Sequence, residues 1–216
     1  MEGKMNALLK TAAEPDAMEY VEDFDIPQIK DDEVLMEIKA VGICGTDHSL
    51  YRWNPAIANS YHIQYPAIFG HEFSGVIAEV GKNAPANLKV GQRVTANPVL
   101  FDNTCEYCDR GEVNICDNRP FYGTDLPGAF AIRATNIIPM PDDVTFTQGA
   151  LLEPLCVAMN AVERVNPQIG ETAVVIGPGA IGLLMVALLK QARGIRKVIV
   201  TGLDADAKRF KVAEQL

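Results

Sequence analysis

The sequence predicts an α/β chain in two parts: a β-rich N-terminal domain and the beginning of an α/β nucleotide-binding domain. Two observations predict this fold class. Up to about residue 150, short β-rich runs are separated by glycine and proline, whereas from residue 147 helical and strand patterns alternate. A glycine-rich turn follows the first strand of the second part, as in nucleotide sites. We place the boundary between domains 1–155 and 156–216.

The N-terminal part consists of strand-like runs bounded by turn residues. EVLMEIKAVGI alternates apolar and polar residues, and FSGVIAEVG, QRVTANPVL and GAFAIRATNIIPMP follow it along the chain. Alternation with a period of two directs one face of a strand toward a core. We therefore expect these runs to form the β-rich domain.

The C-terminal part alternates helix and strand. TQGALLEPLCVAMNAVERV has apolar residues at helical spacing, and Pro154 suits a first helical turn. The strand TAVVI comes next, then a helical run from Ala180 to Arg193, the strand KVIVTG and a helix that begins near Ala207. This order opens an α/β nucleotide-binding domain. Parallel sheets are normally covered by helices on both faces, and a sheet of two strands cannot be buried in this way. We therefore expect an incomplete domain.

Composition excludes several classes of partner. The 216 residues have a net charge of −9 and a pI near 4.8, which argues against a nucleic-acid surface because phosphate binding needs a basic face. The longest apolar runs are too short to span a bilayer. The N-terminus lacks the apolar core of a secretory signal. We expect a cytoplasmic protein without nucleic-acid or membrane partners.

The stretch FDNTCEYCDRGEVNIC contains three of the five cysteines. The odd count and the C-x-x-C pair favour metal binding over disulfides. A structural zinc site takes four protein ligands, so three thiols leave one position unassigned. An incomplete site, a site with an unusual fourth ligand and three unrelated cysteines are all compatible with the cysteine count alone.

A second group of possible ligands combines Cys44, in VGICGTDHS, with His71 and Glu72 of the GHE sequence. A thiolate, an imidazole and a carboxylate suit zinc, and catalytic zinc sites keep one position open for water or substrate. Considered singly, Cys44 could be a core cysteine and His71 a structural histidine.

The third motif is VVIGPGAIG, in which Gly177, Gly179 and Gly182 form G-x-G-x-x-G and Ile181 lies in the same turn. It follows a strand and opens a helix, which is the context that a dinucleotide site requires. The first glycine permits the turn, the second lets the backbone approach a pyrophosphate, and the third lets helix and strand pack. The helix N-terminus offers N–H donors to the phosphates.

In order and spacing, GICGTD, GHEFSGVIAEVG, the cysteine cluster, LLEPL and VIGPGAIG resemble the zinc-containing medium-chain dehydrogenases, particularly the sorbitol and threonine dehydrogenases. The resemblance covers essentially the whole chain. It implies a GroES-like zinc-binding catalytic domain followed by an incomplete Rossmann domain. It also implies an alcohol or polyol substrate, two zinc ions, one catalytic and one structural, and NAD or NADP.

The resemblance implies that Cys44, His71 and one or both of Glu72 and Glu153 hold the catalytic zinc. Zinc lowers the pKa of a bound alcohol, and the alcohol carbon then delivers hydride to the nicotinamide. Thr46 matches the hydroxyl that relays the alcohol proton. Two alternatives stay open: Thr46 could only tie down its turn, and Glu153 could only be a first-turn carboxylate favoured by the helix dipole.

The positions after the zinc cysteine depart from the pattern of the relatives, and Cys156 has no expected role in the site. Several relatives carry a histidine five residues after the zinc cysteine, where this chain has Ser49, with His48 one position earlier. Ser49 could pass a proton through water, whereas His48 could be only a surface residue, and His48 is therefore left out of the catalytic set. Cys156, one turn after Glu153 among apolar residues, is expected in the core.

The resemblance also addresses the fourth ligand of the cysteine cluster. Relatives with a structural zinc space their second, third and fourth cysteines as Cys105, Cys108 and Cys116 are spaced here. Their first ligand then falls on Asp102, and a carboxylate oxygen is an accepted zinc ligand. We predict a structural site with these four ligands; the alternative is a lobe that has lost its metal.

The choice between NAD and NADP stays open. Relatives carry an acid directly after the strand VIVT, where this chain has Gly202. Asp204 and Asp206 are nearby substitutes, whereas Lys208 and Arg209 could receive a 2′-phosphate. NAD is slightly favoured because the two acids lie closer to the strand end, and we predict Asp204 as the ribose ligand.

Relatives continue for well over a hundred further residues. We therefore expect the N-terminal portion of a dehydrogenase that is a homo-oligomer at full length, and little or no turnover by this portion alone. The alternative of a different class is a non-enzymatic, zinc-stabilised truncated module that binds partners through its Rossmann edge. A reductase of aldehydes or ketones is a third possibility.

Overall fold

A computed structural model describes residues 3–128 and 130–216. The chain folds into two compact units, Met1–Leu151 and Leu152–Leu216. The predicted domain boundary, after residue 155, falls inside the first helix of the second unit.

Two antiparallel sheets form the framework of the first unit. Their strands are β1 (Lys4–Lys10), β2 (Met18–Asp25), β3 (Glu33–Val41), β4 (Ala67–Ile68), β5 (Phe73–Val80), β6 (Arg93–Ala96), β7 (Ala131–Arg133) and β8 (Ile137–Pro139). The larger sheet has the order β7-β3-β5-β6-β8, and the smaller has the order β2-β1-β4. The four predicted strand runs are confirmed as β3, β5, β6 and, for the last run, β7 and β8 separated by a 3₁₀ turn.

The core of the first unit is built from residues of the larger sheet. Val34 and Met36 of β3, Ile77 of β5 and Val94 of β6 are almost completely buried. Val34 and Met36 are separated by two positions, as expected for residues on one face of a strand. This sheet gives the loops at its ends a rigid base.

Short helices connect the strands of the first unit. They are α1 (Gly45–Tyr51), α2 (Pro55–Ala58), α3 (Glu106–Asp109) and α4 (Phe146–Ala150). The end of α1 is held by Lys10, a completely buried lysine whose Nζ donates to the Tyr51 carbonyl at 3.2 Å. Asn54 caps α2 by accepting from the Ala56 N–H at 3.1 Å.

The second unit is a β-α-β-α arrangement that follows a long helix. Its elements are α5 (Leu152–Val165), β9 (Thr172–Ile176), α6 (Ala180–Ala187), β10 (Lys197–Thr201) and α7 (Ala207–Ala213). β9 and β10 pair in parallel, and a π-helical turn, Leu188–Ala192, extends α6. Val175 of β9 packs with Val162 of α5 and Val186 of α6. The predicted order of elements is confirmed.

The expected burial of Cys156 is wrong, because this cysteine is exposed. The buried positions of α5 are Pro154, Ala158 and Val162, which are spaced by four residues and lie on one face of the helix. Cys156 falls between two of them and therefore on another face.

No helix within residues 3–128 and 130–216 is both long and apolar enough to cross a membrane.

Candidate functional site

Cys44, His71 and Glu72 come together in the first unit and are here termed the mixed cluster. One sulfur, nitrogen or oxygen atom from each of them lies within 4.8 Å of the other two. Cys44 is the residue before α1, whereas His71 and Glu72 lie in the segment between β4 and β5. His71 and Glu72 are buried and Cys44 is half-buried. Tertiary packing therefore assembles three predicted ligands from two separate segments.

A glycine leaves room for the Glu72 carboxylate. The Gly42 N–H donates to the Glu72 carbonyl at 2.7 Å. A Cβ atom on Gly42 would meet Glu72 Oε2 at 2.2 Å, which is far inside van der Waals contact. Any side chain at position 42 would therefore require the Glu72 carboxylate to move.

Asp47 links the two segments of the mixed cluster. Its Oδ2 accepts from the Cys44 N–H at 2.9 Å, and its Oδ1 lies 3.7 Å from His71 Nδ1. Within residues 3–128 and 130–216, Oδ1 and Nδ1 are buried without a hydrogen-bond partner. A carboxylate close to one imidazole nitrogen can orient the ring and leave the other nitrogen, Nε2, for a metal.

Sequence reasoning missed Asp47. The signal in the sequence was its spacing: Asp47 lies three positions after Cys44, the residue before α1. An acidic residue at that position can accept a hydrogen bond from the N–H of the residue before the helix. That spacing predicts the bond to Cys44, but nothing in the sequence predicts that the other oxygen faces His71.

A close backbone crossing supports the His71 segment. Gly70 and Gly123 both have positive φ, 110° and 85°, and a Cβ atom on Gly123 would meet the Gly70 carbonyl oxygen at 2.5 Å. Next to the crossing, Phe121 packs edge-on against the imidazole of His71 with ring centroids 5.0 Å apart. The loop that contains Phe121 and Gly123 thus restricts the position of His71.

The electrostatics of the mixed cluster suit a cation. Burial raises the pKa of the Cys44 thiol, of Asp47 and of Glu72, so the anionic forms are disfavoured while no cation compensates them. The His71 charge acts in the opposite direction on both carboxyl groups. One sulfur, one imidazole nitrogen and one carboxylate oxygen form a donor set that fits zinc.

Thr46 contacts the Cys44 thiol of the mixed cluster. Its backbone N–H and hydroxyl hydrogen-bond to Cys44 and lower the pKa of that thiol against the effect of burial. The phenol of Tyr61 hydrogen-bonds to Thr46, and burial raises the pKa of Tyr61. Sequence reasoning did not assign Tyr61, because its distance from the other motifs gave no indication that it reaches Thr46.

His48 and Ser49, which follow Asp47 on α1, make their side-chain hydrogen bonds outside the mixed cluster. His48 is exposed and its Nε2 accepts from Arg52 Nε at 3.3 Å. The Ser49 hydroxyl donates to the Gly45 carbonyl at 2.9 Å. The exclusion of His48 from the catalytic set stays a prediction.

Glu153 belongs to the second unit, where it occupies the first turn of α5 and is half-buried. That position is favourable for a carboxylate because of the helix dipole. Its approach to the zinc stays a prediction.

Cys105, Cys108 and Cys116 form a second group, here termed the thiol cluster. Their sulfur atoms all lie within 4.8 Å of one another, and those of Cys105 and Cys108 are 3.7 Å apart. Cys105 precedes α3, and a 3₁₀ turn, Val113–Ile115, leads to Cys116. The backbone N–H groups of Asp117 and Cys108 lower the pKa of the Cys105 thiol, which favours the metal-binding thiolate.

Asp102, the predicted fourth ligand, adjoins the thiol cluster. Its Oδ1 lies 3.5 Å from Cys116 Sγ and accepts from the Thr104 N–H at 2.9 Å and the Thr104 hydroxyl at 2.8 Å. Its Oδ2 accepts from Asn118 at 3.0 Å. The Thr104 hydroxyl and Asn118 lower the Asp102 pKa to about 2, so the carboxylate is ionised at neutral pH. Its role as a ligand stays a prediction.

The glycine-rich turn of the second unit leaves its backbone open. Gly177 follows β9 with φ of 93°, and its N–H donates to the Thr201 carbonyl at 2.7 Å. Apart from the adjoining residues, no described atom lies within 4 Å of a Cβ built on Gly177 or Gly179, whereas one on Gly182 would meet the Gly177 carbonyl oxygen at 2.0 Å. The first two glycines thus expose backbone to a ligand, and the third permits close packing.

The turn leads into α6. Gly179 is the residue before the helix, and the half-buried Ile181 lies in its first turn. This geometry fits the pyrophosphate of a dinucleotide, because the first N–H groups of a helix have no partners within the helix.

The end of β10 carries the predicted ribose ligand. Asp204 is exposed in a 3₁₀ turn that precedes α7. Asp206, in the same turn, accepts from the Leu203 N–H at 3.1 Å and pairs with Arg209 at 2.8 Å. Lys208 is exposed on α7.

Comparison with known proteins shows a match to the alcohol dehydrogenase GroES-like domain over residues 30–142. The chain is 36% identical over 220 residues to the L-threonine 3-dehydrogenase of Mesorhizobium japonicum, which covers 100% of this chain and 61% of that protein. It is 38% identical over 201 residues to the sorbitol dehydrogenase of Bacillus subtilis, which covers 91% and 55%. The chain therefore spans less than two thirds of the length of these relatives.

Solved structures of dehydrogenases are also similar to this chain. A dehydrogenase from Escherichia coli CFT073, described as a short chain alcohol dehydrogenase in complex with NADH, superposes with a TM-score of 0.84 at 31% identity, covering 98% of this chain and 60% of that one. A putative zinc-binding dehydrogenase from Sinorhizobium meliloti bound to NADP superposes with a TM-score of 0.85 at 29% identity, covering 98% and 59%.

Proposed function

The chain belongs to the alcohol dehydrogenase GroES-like domain family, and from this premise we propose that it carries the metal site and the first part of the dinucleotide site of a zinc-dependent alcohol or polyol dehydrogenase. The observation that carries the proposal is the mixed cluster, a buried set of zinc-type ligands beside the Thr46 hydroxyl. Relatives described as threonine and sorbitol dehydrogenases support an alcohol or polyol as the substrate class.

Zinc in the mixed cluster would supply Lewis-acid chemistry that lowers the pKa of a bound alcohol. The thiolate of Cys44, Nε2 of His71 and the carboxylate of Glu72 would hold it. Asp47 would keep the His71 ring in the orientation that directs Nε2 inward, because its Oδ1 faces Nδ1. Glu153 stays a further proposed ligand.

Thr46 would receive the alcohol proton at its hydroxyl oxygen and pass its own proton on. Tyr61 is the next hydroxyl group, since its phenol hydrogen-bonds to Thr46. General acid–base transfer of this kind requires donor and acceptor within hydrogen-bond reach.

The glycine-rich turn would bind the pyrophosphate of a nicotinamide dinucleotide, the cofactor that accepts hydride from the alcohol carbon. The N-terminus of α6, together with the open backbone at Gly179, would supply the N–H donors. Relatives bound to NADH and to NADP support this cofactor class.

A second zinc in the thiol cluster would have a structural role. Cys105, Cys108 and Cys116 would hold it together with Asp102, and four protein ligands leave no open position for substrate. Such a site stabilises its lobe through the free energy of metal binding. A cytoplasmic location and a homo-oligomeric full-length protein remain predictions from the sequence.

Metal analysis combined with calorimetry of NADH and NADPH binding tests the proposal. We expect two zinc ions per chain and binding of at least one dinucleotide. One zinc ion without dinucleotide binding would contradict the proposal and favour the non-enzymatic, zinc-stabilised module. A panel of alcohols and polyols with NAD and NADP, assayed with the 216-residue chain and with a longer protein that contains it, then identifies the substrate.

A further inference from the structure

The end of β10 lacks the acidic side chain that dinucleotide sites of this type place there. Gly202 directly follows Thr201, whose carbonyl oxygen accepts the Gly177 N–H, so position 202 adjoins the glycine-rich turn. In dinucleotide-binding domains, an acid about 20 residues beyond the glycine motif binds the ribose hydroxyls. A glycine cannot supply that interaction.

The space that a side chain at position 202 would need is already occupied. A Cβ atom on Gly202 would meet Pro178 Cδ at 2.7 Å, Asp206 Oδ2 at 3.0 Å and the Phe210 ring at 3.0 Å. Pro178 belongs to the glycine-rich turn itself. The carboxylate of Asp206 thus lies at the strand end, close to the position from which an acid at residue 202 would project.

Two hydrogen bonds fix the Asp206 carboxylate. The Leu203 N–H donates to Oδ2 at 3.1 Å, and Arg209 donates to Oδ1 at 2.8 Å. The Leu203 N–H, followed by Arg209, lowers the Asp206 pKa, so the group is anionic at neutral pH. A carboxylate offers about four lone-pair positions, so two remain for ribose hydroxyls.

We propose that Asp206, rather than Asp204, is the ribose-binding acid and that it selects NAD over NADP. This inference rests on the proposed function of the second unit as a dinucleotide site. Asp206 lies in the 3₁₀ turn before α7, and its side chain reaches back to the end of β10, whereas the expected acid would directly follow the strand. It replaces Asp204 as the predicted ribose ligand.

Charge explains the direction of the selectivity. An anionic carboxylate at the ribose accepts hydrogen bonds from its hydroxyl groups but repels a 2′-phosphate. The guanidinium of Arg209, which could otherwise attract that phosphate, is paired with Asp206. NADP would have to bind beside the carboxylate or displace it from Arg209.

The competing explanation is that Asp206 only caps the turn before α7. Asp206→Asn separates the two roles, because the amide oxygen can still accept from the Leu203 N–H while the charge is lost. Asp204→Asn is the matched control, since it removes the charge of an exposed acid in the same turn. Arg209→Gln breaks the ion pair and leaves the Asp206 carboxylate in place.

The experiment is calorimetric titration of the 216-residue chain and its three variants with NADH and with NADPH. The unsubstituted chain should bind NADH more tightly than NADPH. Asp206→Asn should weaken NADH binding roughly tenfold, which is the usual scale for a hydrogen bond to a charged group, and should remove most of the preference. Asp204→Asn and Arg209→Gln should keep the preference for NADH.

Three results would overturn the inference without contradicting the proposed dinucleotide site. Equal or tighter binding of NADPH by the unsubstituted chain contradicts the selectivity, and loss of the preference in Asp204→Asn assigns the ribose to the other acid. Loss of the preference in Arg209→Gln as well as in Asp206→Asn indicates a structural cap. In these cases the dinucleotide site itself stands. Binding of neither dinucleotide contradicts the proposed function and the inference with it.

Discussion

The mixed cluster and the thiol cluster each bring three ligand atoms within 4.8 Å, but different parts of the fold hold them. The thiol cluster comes from one short segment, in which local turns and backbone N–H groups position the sulfur atoms. The mixed cluster joins two segments and depends on Gly42, Asp47 and Gly123, which are not ligands in the proposed site. The spacing of the ligands along the sequence specifies a local site. A site that joins distant segments is specified by the non-ligand residues that hold its ligands in place.

Removal of one thiolate from each cluster should have the largest effect on zinc binding. Cys108→Ser should lower the zinc content from two ions to one and destabilise the lobe, because a structural site contributes metal-binding free energy to folding. Cys44→Ser should also remove one ion but leave the lobe intact. Elemental analysis and thermal denaturation measure both effects, and loss of both ions from either variant would show that the clusters are not independent.

Asp47→Asn should give the next largest effect. The amide retains an acceptor for the Cys44 N–H but loses the charge that faces His71 Nδ1. Zinc affinity of the mixed cluster should fall toward the upper end of the roughly 10–100-fold range for groups that orient metal ligands. Competition with a chromophoric chelator measures it, with the exposed Asp31→Asn as the control. An unchanged affinity would remove Asp47 from the site.

Gly42→Ala should have an intermediate effect, near the middle of that roughly 10–100-fold range. Its Cβ would meet Glu72 Oε2 at 2.2 Å, so the carboxylate must move away. Gly45→Ala is the matched control, because no atom in the described part of the chain lies within 4 Å of a Cβ there. The same chelator competition applies, and equal affinities of the two variants would argue against Glu72 as a ligand.

Asp102→Ala should have the smallest effect, a loss of zinc affinity that is confined to the thiol cluster and weaker than that of Cys108→Ser, because the three thiolates remain. Its carboxylate already accepts from Thr104 and Asn118, so metal binding would have to share it with these donors. Asp109→Ala, an exposed acid of α3, serves as the control. If both zinc ions stay tightly bound, the fourth ligand of the thiol cluster is not Asp102.

Much of the fold was predictable because its signals are local. Period-two alternation located β3 and β5, and the glycine motif located the turn between β9 and α6. The family resemblance was confirmed by the match over residues 30–142. Cys156 was mispredicted because apolar neighbours along the sequence do not reveal which face of α5 is buried.

Part of the candidate site was not predictable, because it depends on contacts between distant residues. Tyr61 reaches Thr46, and Asp47 faces His71, only after the chain has folded. The same applies to Asp206, whose carboxylate occupies the space beside Gly202. Spacing along the chain made Asp204 the better candidate, since it is the nearer acid.

The sequence by itself determined the type of fold, the family and the sets of candidate ligands, because strand alternation, cysteine spacing and the glycine motif act over short separations. Only the tertiary structure decided which groups support those ligands. Burial makes an uncompensated charge costly, so the positions of Asp47 and Glu72 are constrained by the groups that pack around them. Those neighbours come from several segments, and a linear sequence does not record their distances.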